Sequence, residues 1–422
     1  MSKRAWLLLV FLLLGLYASV AAGDVVVLLP AGDAERAMHE EIAQRYMKEH
    51  PSTNIVFQYV VGSGQTLEKA MTMIAAGIAP DLMYMSPTAL EAFAAVGAVE
   101  DLWPWVEISG TDLSILHPQA LAGYQMYYPG QLLGMPRLFL HHAMVYNADM
   151  FSERGMIPPG YGTHWDDFAK AVGNLTQDTD GDGKFDKFGF WMRGWYRTPT
   201  YFMPLLHAFG GSIFNPDRSG SSLLQTDTVR MFENVFDIFR RYEPPFSTTA
   251  IQNLQRTSQL AMWYDLNSAM LAYDFSFTWG VAPLPAEKNG HGIGLYDVGL
   301  AMLSAGKNKA EAWDFLLYTI SYEAQKIAAD HGFIPVRKDV VSEGNLFATL
   351  PKSVQSTLLR NIMSANVNSL ALLAGPHYST VNQILGDGLL NLKNEAQMPV
   401  RNALVEMDRL INNTLAQPWP PN

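Results

Sequence analysis

The chain reads as an α/β protein built in two lobes. Three observations predict this: a βαβαβ alternation near the start, a length of 422 residues that exceeds what one core organises, and enough apolar residues to fill two cores. The composition is 49% hydrophobic and 16% charged, which suits a packed chain and not a disordered one.

The first element is a leader. Lys3 and Arg4 precede an apolar run over 5–16 and a small-residue stretch over 18–23, the layout of a secretory signal peptide occupying 1–22. An uncleaved anchor is the alternative, because residues 5–22 nearly reach spanning length. There is no cysteine, so no thiol can carry a lipid at the cleavage site and no disulfide can form; the expected location is periplasmic. The formal charge of −11 becomes more negative when Lys3 and Arg4 are lost, which makes nucleic acid a poor partner.

After the leader, residues 24–29 form a β-branched apolar run. Met38, Ile42 and Tyr46 then recur at helical spacing over 34–50, and Pro51 stops that helix. A second strand is predicted over 55–61, and a helix over 65–76 with Leu67, Ala70, Met71 and Ile74 on its buried face. A third strand follows at 82–85. This alternation predicts a parallel sheet, with ligand loops at the carboxyl ends of its strands: 30–33, 61–64 and Ser86-Pro87. Between 160 and 280 the chain is rich in aromatics, including Trp165, Trp191, Trp195, Tyr196, Tyr201, Trp263, Tyr264, Tyr273 and Trp279. Such rings serve either as core or as flat, partly polar platforms for sugar rings.

The stretch Ala79-Pro80-Asp81-Leu82-Met83-Tyr84-Met85-Ser86-Pro87 resembles the extracellular solute-binding proteins of ABC importers, in particular the sugar-binding family that includes maltose-binding protein. Further landmarks follow in order: Gly134-Met135-Pro136, Val145-Tyr146-Asn147-Ala148-Asp149, Trp165-Asp166-Asp167-Phe168 and Phe188-Gly189-Phe190. Gly210-Gly211, Trp279-Gly280-Val281-Ala282-Pro283, Ala312-Trp313-Asp314-Phe315 and Ile334-Pro335-Val336 complete the series. The resemblance implies a type II periplasmic-binding-protein fold with three hinge crossovers, near Arg137, Pro283 and Pro335. It implies an N-terminal lobe of 24–136 plus 286–335 and a C-terminal lobe of 137–280 plus 336–422. It also implies a monomer that captures a mono- or oligosaccharide between the lobes by hinge closure and hands it to membrane permease subunits, without catalysis.

For the ligand cleft, the resemblance implies Ser86 after the third strand, Arg137 at the first crossover, and Arg193, Trp195 and Tyr196 after the Phe-Gly-Phe strand. It adds Trp263, Tyr264 and Asp265, then Tyr296 and Asp297, then His377 and Tyr378. Trp195, Trp263 and Tyr378 would stack on sugar faces. Asp265, Asp297, Ser86 and His377 would bond hydroxyls, and Arg137 and Arg193 would donate in forked fashion to hydroxyls or to an anion. Two arginines keep a glycerophosphodiester or other polyol phosphate as the alternative ligand, and a secreted glycoside hydrolase as the alternative class.

Two motifs invite a metal. Asp178, Asp180, Asp182 and Asp186 alternate around Gly183 as in an EF-hand-type calcium loop, but position 12 is Gly189, where a bidentate Glu is needed. In relatives the segment is a turn-rich connection, so a structural calcium and a metal-free turn both stand. His141-His142 cannot chelate one ion together if they lie on a strand, where neighbours point to opposite faces.

Overall fold

The computed structural model describes residues 23–30, 32–194, 198–244, 247–266, 274–343, 346–395 and 397–420. The leader expected over 1–22 lies outside them. The chain divides into two compact units, one of 1–84 and 305–319, the other of 85–304 and 320–422.

In the smaller unit β1 (Asp24–Pro30) lies between β2 (Asn54–Val60) and β3 (Leu82–Met85), parallel to both, with Val27 opposite Phe57 on one side and Leu82 on the other. Val25, Val27, Leu28 and Leu29 are all buried, as expected of a strand covered on both faces. The helix Asp33–Glu49 buries Met38, Ile42 and Tyr46. Tyr46 meets Phe315 and Tyr318 of the helix Lys309–Thr319 edge-on, at 5.1 and 5.3 Å between ring centroids. The helix Ser63–Ala75 differs from expectation: it buries Thr66, Ala70 and Met73, while Met71 is exposed. The inward stripe is rotated because Thr66 can be buried at little cost, its hydroxyl donating to the Gly62 carbonyl at 2.9 Å.

Asp81 explains the Ala-Pro-Asp motif. Its carboxylate, 3% exposed, accepts the Val26 N–H at 2.9 Å and the Lys307 and Asn308 N–H groups at 2.8 Å each. One side chain thereby ties β1 to the chain's return at 305–319.

The larger unit is organised on β4 (Met135–Asn147), thirteen residues long. Its second half pairs on opposite edges with β6 (Met262–Leu266) and β7 (Trp279–Ala282), Met144 facing Tyr264 and Ala282. β5 (Trp191–Met192) lies parallel to β6. A small hairpin, β8 (Ala286–Glu287) and β9 (Gly290–His291), leads into β10 (Gly294–Met302), which runs antiparallel to the first half of β4. β11 (Ile334–Pro335) also pairs with β4, and β12 (Val367–Asn368) pairs with the start of β10.

The β4–β10 ladder carries a bulge. Leu138 faces Val298 and Pro136 faces Gly299, which leaves Arg137 as the extra residue. Gly299 is required opposite it, because a Cβ there would lie 2.1 Å from the Met135 carbonyl oxygen. The Phe-Gly-Phe motif has a similar cause: a Cβ on Gly189 would meet the Val172 carbonyl oxygen at 2.2 Å, so glycine lets the segment just before β5 press on the helix Trp165–Leu175. In Val-Tyr-Asn-Ala-Asp, Asn147 ends β4 and caps the helix Ala148–Glu153, accepting the Asp149 and Met150 N–H groups at 3.0 and 3.2 Å. The core around these elements is aromatic, with Phe168, Phe190, Phe202, Phe232, Phe236 and Phe239 all buried. Among the described residues no helix is long and apolar enough to cross a membrane.

Asp81→Ala should lower unfolding stability by about 3 kcal/mol, since it leaves three backbone donors without their acceptor. Urea unfolding monitored by fluorescence checks this, with a lower midpoint and an unchanged slope as the expected result.

Candidate functional site

β4 interrupts its apolar run with His141 and His142, and pairing on both edges sends these rings to different neighbours. His141 is fully buried. Its Nδ1–H donates to the Gly294 carbonyl at 2.9 Å, and its Nε2 accepts from Asn361 at 3.2 Å. Asn361 in turn accepts the Tyr161 hydroxyl at 2.6 Å. Burial pushes the His141 pKa down to about 4, so the ring is neutral and the chain of bonds holds one polarity.

His142 faces a box of tyrosines. Its ring meets Tyr296 at 4.3 Å and Tyr201 at 4.8 Å edge-on, and lies tilted to Tyr264 at 5.6 Å. Burial, and the positive charge of Arg193 nearby, hold this imidazole neutral. Tyr296 donates its hydroxyl to the Thr200 carbonyl at 3.0 Å. Burial raises the pKa of both Tyr264 and Tyr296, which stay protonated and able to donate. The Nδ1 atom of His142 has no hydrogen-bond partner in this box.

Above the box, β5 and β6 run parallel, so the residue that follows β5 is set beside Asp265 near the end of β6. Arg193 Nη1 reaches Asp265 Oδ1 at 3.1 Å; the arginine side chain is 52% exposed and the aspartate 10%. The site thus grades from a wet guanidinium, through a shielded carboxylate and the half-buried Tyr201, to a dry floor of His142, Tyr264 and Tyr296. Such a surface offers donors, acceptors and an aromatic edge within one small region, the chemistry that a polyhydroxylated solute matches.

Of the residues expected in a ligand cleft, the structure brings Arg193, Tyr264, Asp265 and Tyr296 together, and adds His142 and Tyr201, which sequence reasoning did not single out as ligand residues. Two adjacent histidines inside an apolar strand were the available signal. Trp195 and Tyr196 lie outside the described residues. Trp263 has no exposed surface and packs edge-on to Phe275 at 5.5 Å. Arg137 is buried at the bulge; its carbonyl accepts from Gln325, whose Oε1 accepts the Val336 N–H, at 2.9 and 2.8 Å.

Asp297 is fully buried in β10. One carboxyl oxygen accepts from Asn368 at 2.9 Å, while the other has no partner. Burial pushes its pKa up to about 7. Ser86, His377 and Tyr378 form a separate group. The Ser86 hydroxyl accepts the Ala89 N–H at 3.3 Å, starting a turn, and Tyr378 bonds the Thr88 side chain. In the smaller unit, the loop after β2 exposes Val61, and Arg36 lies over Tyr59 at 4.6 Å.

In the 178–186 loop, carboxylate oxygens of Asp178, Asp180 and Asp186 lie within 4.8 Å of one another, close enough to share a cation. The same carboxylates already accept bonds from the loop: Asp178 from the Gly181 and Gly183 N–H groups, Asp180 from Asp182, and Asp186 from Thr179. Asp182 accepts the Lys184 N–H. These are the bonds of an Asp- and Gly-rich turn.

The architecture matches known binding proteins. An ABC substrate-binding protein from Listeria monocytogenes, in complex with cycloalternan, superimposes with a TM-score of 0.76 at 19% identity, covering 94% of this chain and 100% of that one. An ABC transporter solute-binding protein from Thermotoga lettingae, bound with alpha-D-tagatose, gives 0.74 at 18% identity over 94% and 100%. A Mycobacterium tuberculosis protein in complex with glycerophosphocholine gives 0.73 at 16% identity over 93% and 99%. The fold is therefore the α/β, two-lobe fold of periplasmic binding proteins. The model of the bacterial extracellular solute-binding protein family matches residues 41–355, and the chain belongs to that family. A binding protein of Brucella abortus is 27% identical over 354 residues, covering 80% of this chain and 82% of that one.

Asp297 binds its proton more tightly in the fold than in the unfolded chain, where its pKa is the ordinary 3.8. Its contribution is therefore most favourable below about pH 4 and is lost as pH rises to about 7. Asp297→Asn keeps the acceptor for Asn368, so it should raise the melting temperature at pH 8 and flatten its fall between pH 4 and 7, measured by calorimetry. For the acidic loop, melting in millimolar calcium and in EGTA should coincide, because the loop's own N–H groups satisfy its carboxylates.

Proposed function

We propose that this chain captures a neutral carbohydrate in the periplasm and delivers it to the membrane subunits of an ABC importer, binding it without turnover. The observation that carries the reading is the Arg193–Asp265 pair at 3.1 Å. A guanidinium already neutralised by a carboxylate presents both donors and acceptors to hydroxyl groups, whereas a phosphate arriving there would meet the Asp265 charge. The half-buried Tyr201 ring beside it supplies an apolar edge. The ligands of the fold neighbours, alpha-D-tagatose among them, keep a sugar in view, and glycerophosphocholine in the M. tuberculosis neighbour keeps the phosphodiester as the second outcome of the test.

In this reading the lobes are 24–136 plus 286–335 and 137–280 plus 336–422, closing on crossovers near Arg137, Pro283 and Pro335. Closure is a shift of population toward the form in which both lobes hold solute. The protein works as a monomer, exported by its leader. Calcium in the 178–186 loop, if taken up, would be structural and not catalytic.

Thermal melting of the exported protein against mono-, di- and oligosaccharides and glycerophosphocholine should give a specific upward shift with a sugar, recovered chemically intact. Asp265→Ala should weaken that sugar by about 1–3 kcal/mol. A sugar consumed in the assay would instead make the protein an enzyme, and a shift confined to glycerophosphocholine would move the ligand to phosphodiesters.

A further inference from the structure

His291 ends the small hairpin of β8 and β9, and its ring bonds two other segments of the larger unit. Nδ1 lies 2.7 Å from the Leu284 carbonyl oxygen, which can only accept, so Nδ1 carries the proton. Nε2 lies 3.0 Å from the Gly162 nitrogen, whose N–H can only donate, so Nε2 is the bare acceptor. Only the neutral ring satisfies both partners. A proton added at Nε2 would face the Gly162 N–H, and that bond would be lost. His141 is bonded in the same way but is fully buried, whereas His291 is half-buried and within reach of solvent protons.

The loop held by this bond has few other anchors. Pro158 and Pro159 have no N–H to give, and Gly162 stands at φ +93°, a conformation that suits glycine. The Gly160 N–H donates to the Thr163 hydroxyl within the loop at 2.9 Å, and the Thr163 carbonyl accepts the Ala286 N–H at 2.8 Å. Tyr161, its ring edge-on to His291 at 5.3 Å, donates its hydroxyl to Asn361, which passes the chain of bonds to His141 and so to Gly294 at the start of β10. Two residues on, β10 carries Tyr296 into the floor of the candidate site. We propose that His291 is a positioning residue for the sugar site, acting through Tyr161 and Asn361, and that its protonation in acid releases the 158–163 loop and weakens sugar binding. The inference rests on the proposed function. The charged and titratable groups around His291 are Arg360, over the Tyr161 ring at 3.5 Å, and, on the hairpin, Glu287 and Lys288, paired with Arg230 and Asp227 at 3.0 and 2.6 Å. His207, whose pKa burial lowers, faces the hairpin from the helix Met203–Phe209, and His164 bridges to Ala286.

Hydrogen exchange of the 160–163 amides in the solute-free protein, corrected for the intrinsic pH dependence of exchange, reads the loop. From pH 7.5 to pH 5 their protection should fall by about fivefold or more in the parent protein. It should be low and flat in His291→Asn, whose amide can still donate to Leu284 but does not titrate, and His164→Gln should follow the parent. Calorimetric titration with the sugar that raises the melting temperature gives the second readout: its dissociation constant should rise about threefold or more toward pH 5 in the parent and stay flat and weak in His291→Asn. Tyr161→Phe, on a separate element, should weaken the sugar at both pH values and keeps the test readable if His291→Asn folds poorly. Asp297 titrates in every one of these proteins, so the difference between the parent and His291→Asn profiles belongs to His291. Loop protection that pH leaves unchanged, or that changes as much in His291→Asn, overturns the switch, and a sugar affinity with the same pH profile in both proteins overturns the positioning role. Failure of every sugar to bind would count against the proposed function, and the exchange readout would still decide the switch.

Discussion

Pairing along both edges of β4 is the constraint on which the larger unit depends. A strand of thirteen residues has too many backbone donors and acceptors to bury without partners, and β10, β11, β6 and β7 each take a share of them. That pairing fixes which residues meet. It sets His142 among Tyr201, Tyr264 and Tyr296, and sends His141 toward Asn361. Slipping the register by one residue would exchange the two histidines between environments. The bulge at Arg137 is the one place where the ladder gives, and Gly299 is what lets it give there.

The polar groups around β4 are arranged by depth. Where the site reaches solvent it carries an ion pair, Arg193 with Asp265; deeper, its titratable groups are neutral, His141 and His142 through lowered pKa values and the tyrosines through raised ones. Asp297 follows the same rule, since a carboxyl with one unpartnered oxygen in a dry strand is cheaper protonated. A floor without net charge suits a solute that has hydroxyls and no charge of its own.

Periodicity made the smaller unit legible. The runs at 24–29, 55–61 and 82–85 form the expected parallel strands, and Met38, Ile42 and Tyr46 mark the buried face of the first helix as expected. The next helix turned its face because a threonine can satisfy itself on the backbone, which hydropathy does not register. Long-range partners were not legible either. Asp81 is recognisable as part of a motif, but the donors that make it necessary come from Lys307 and Asn308, 226 and 227 residues later. In the candidate site, Arg193, Tyr264, Asp265 and Tyr296 followed from family resemblance. His142 required knowing which strands flank β4, and Tyr201 required knowing that the turn Pro199–Phe202 comes back onto that strand.

The most direct measurement is a crystal structure of the protein with the sugar that raises its melting temperature most. The account predicts hydroxyl groups within hydrogen-bond distance of Arg193 and Asp265, with the Tyr201 ring against the sugar. A sugar bound without contact to any of these three residues would contradict it.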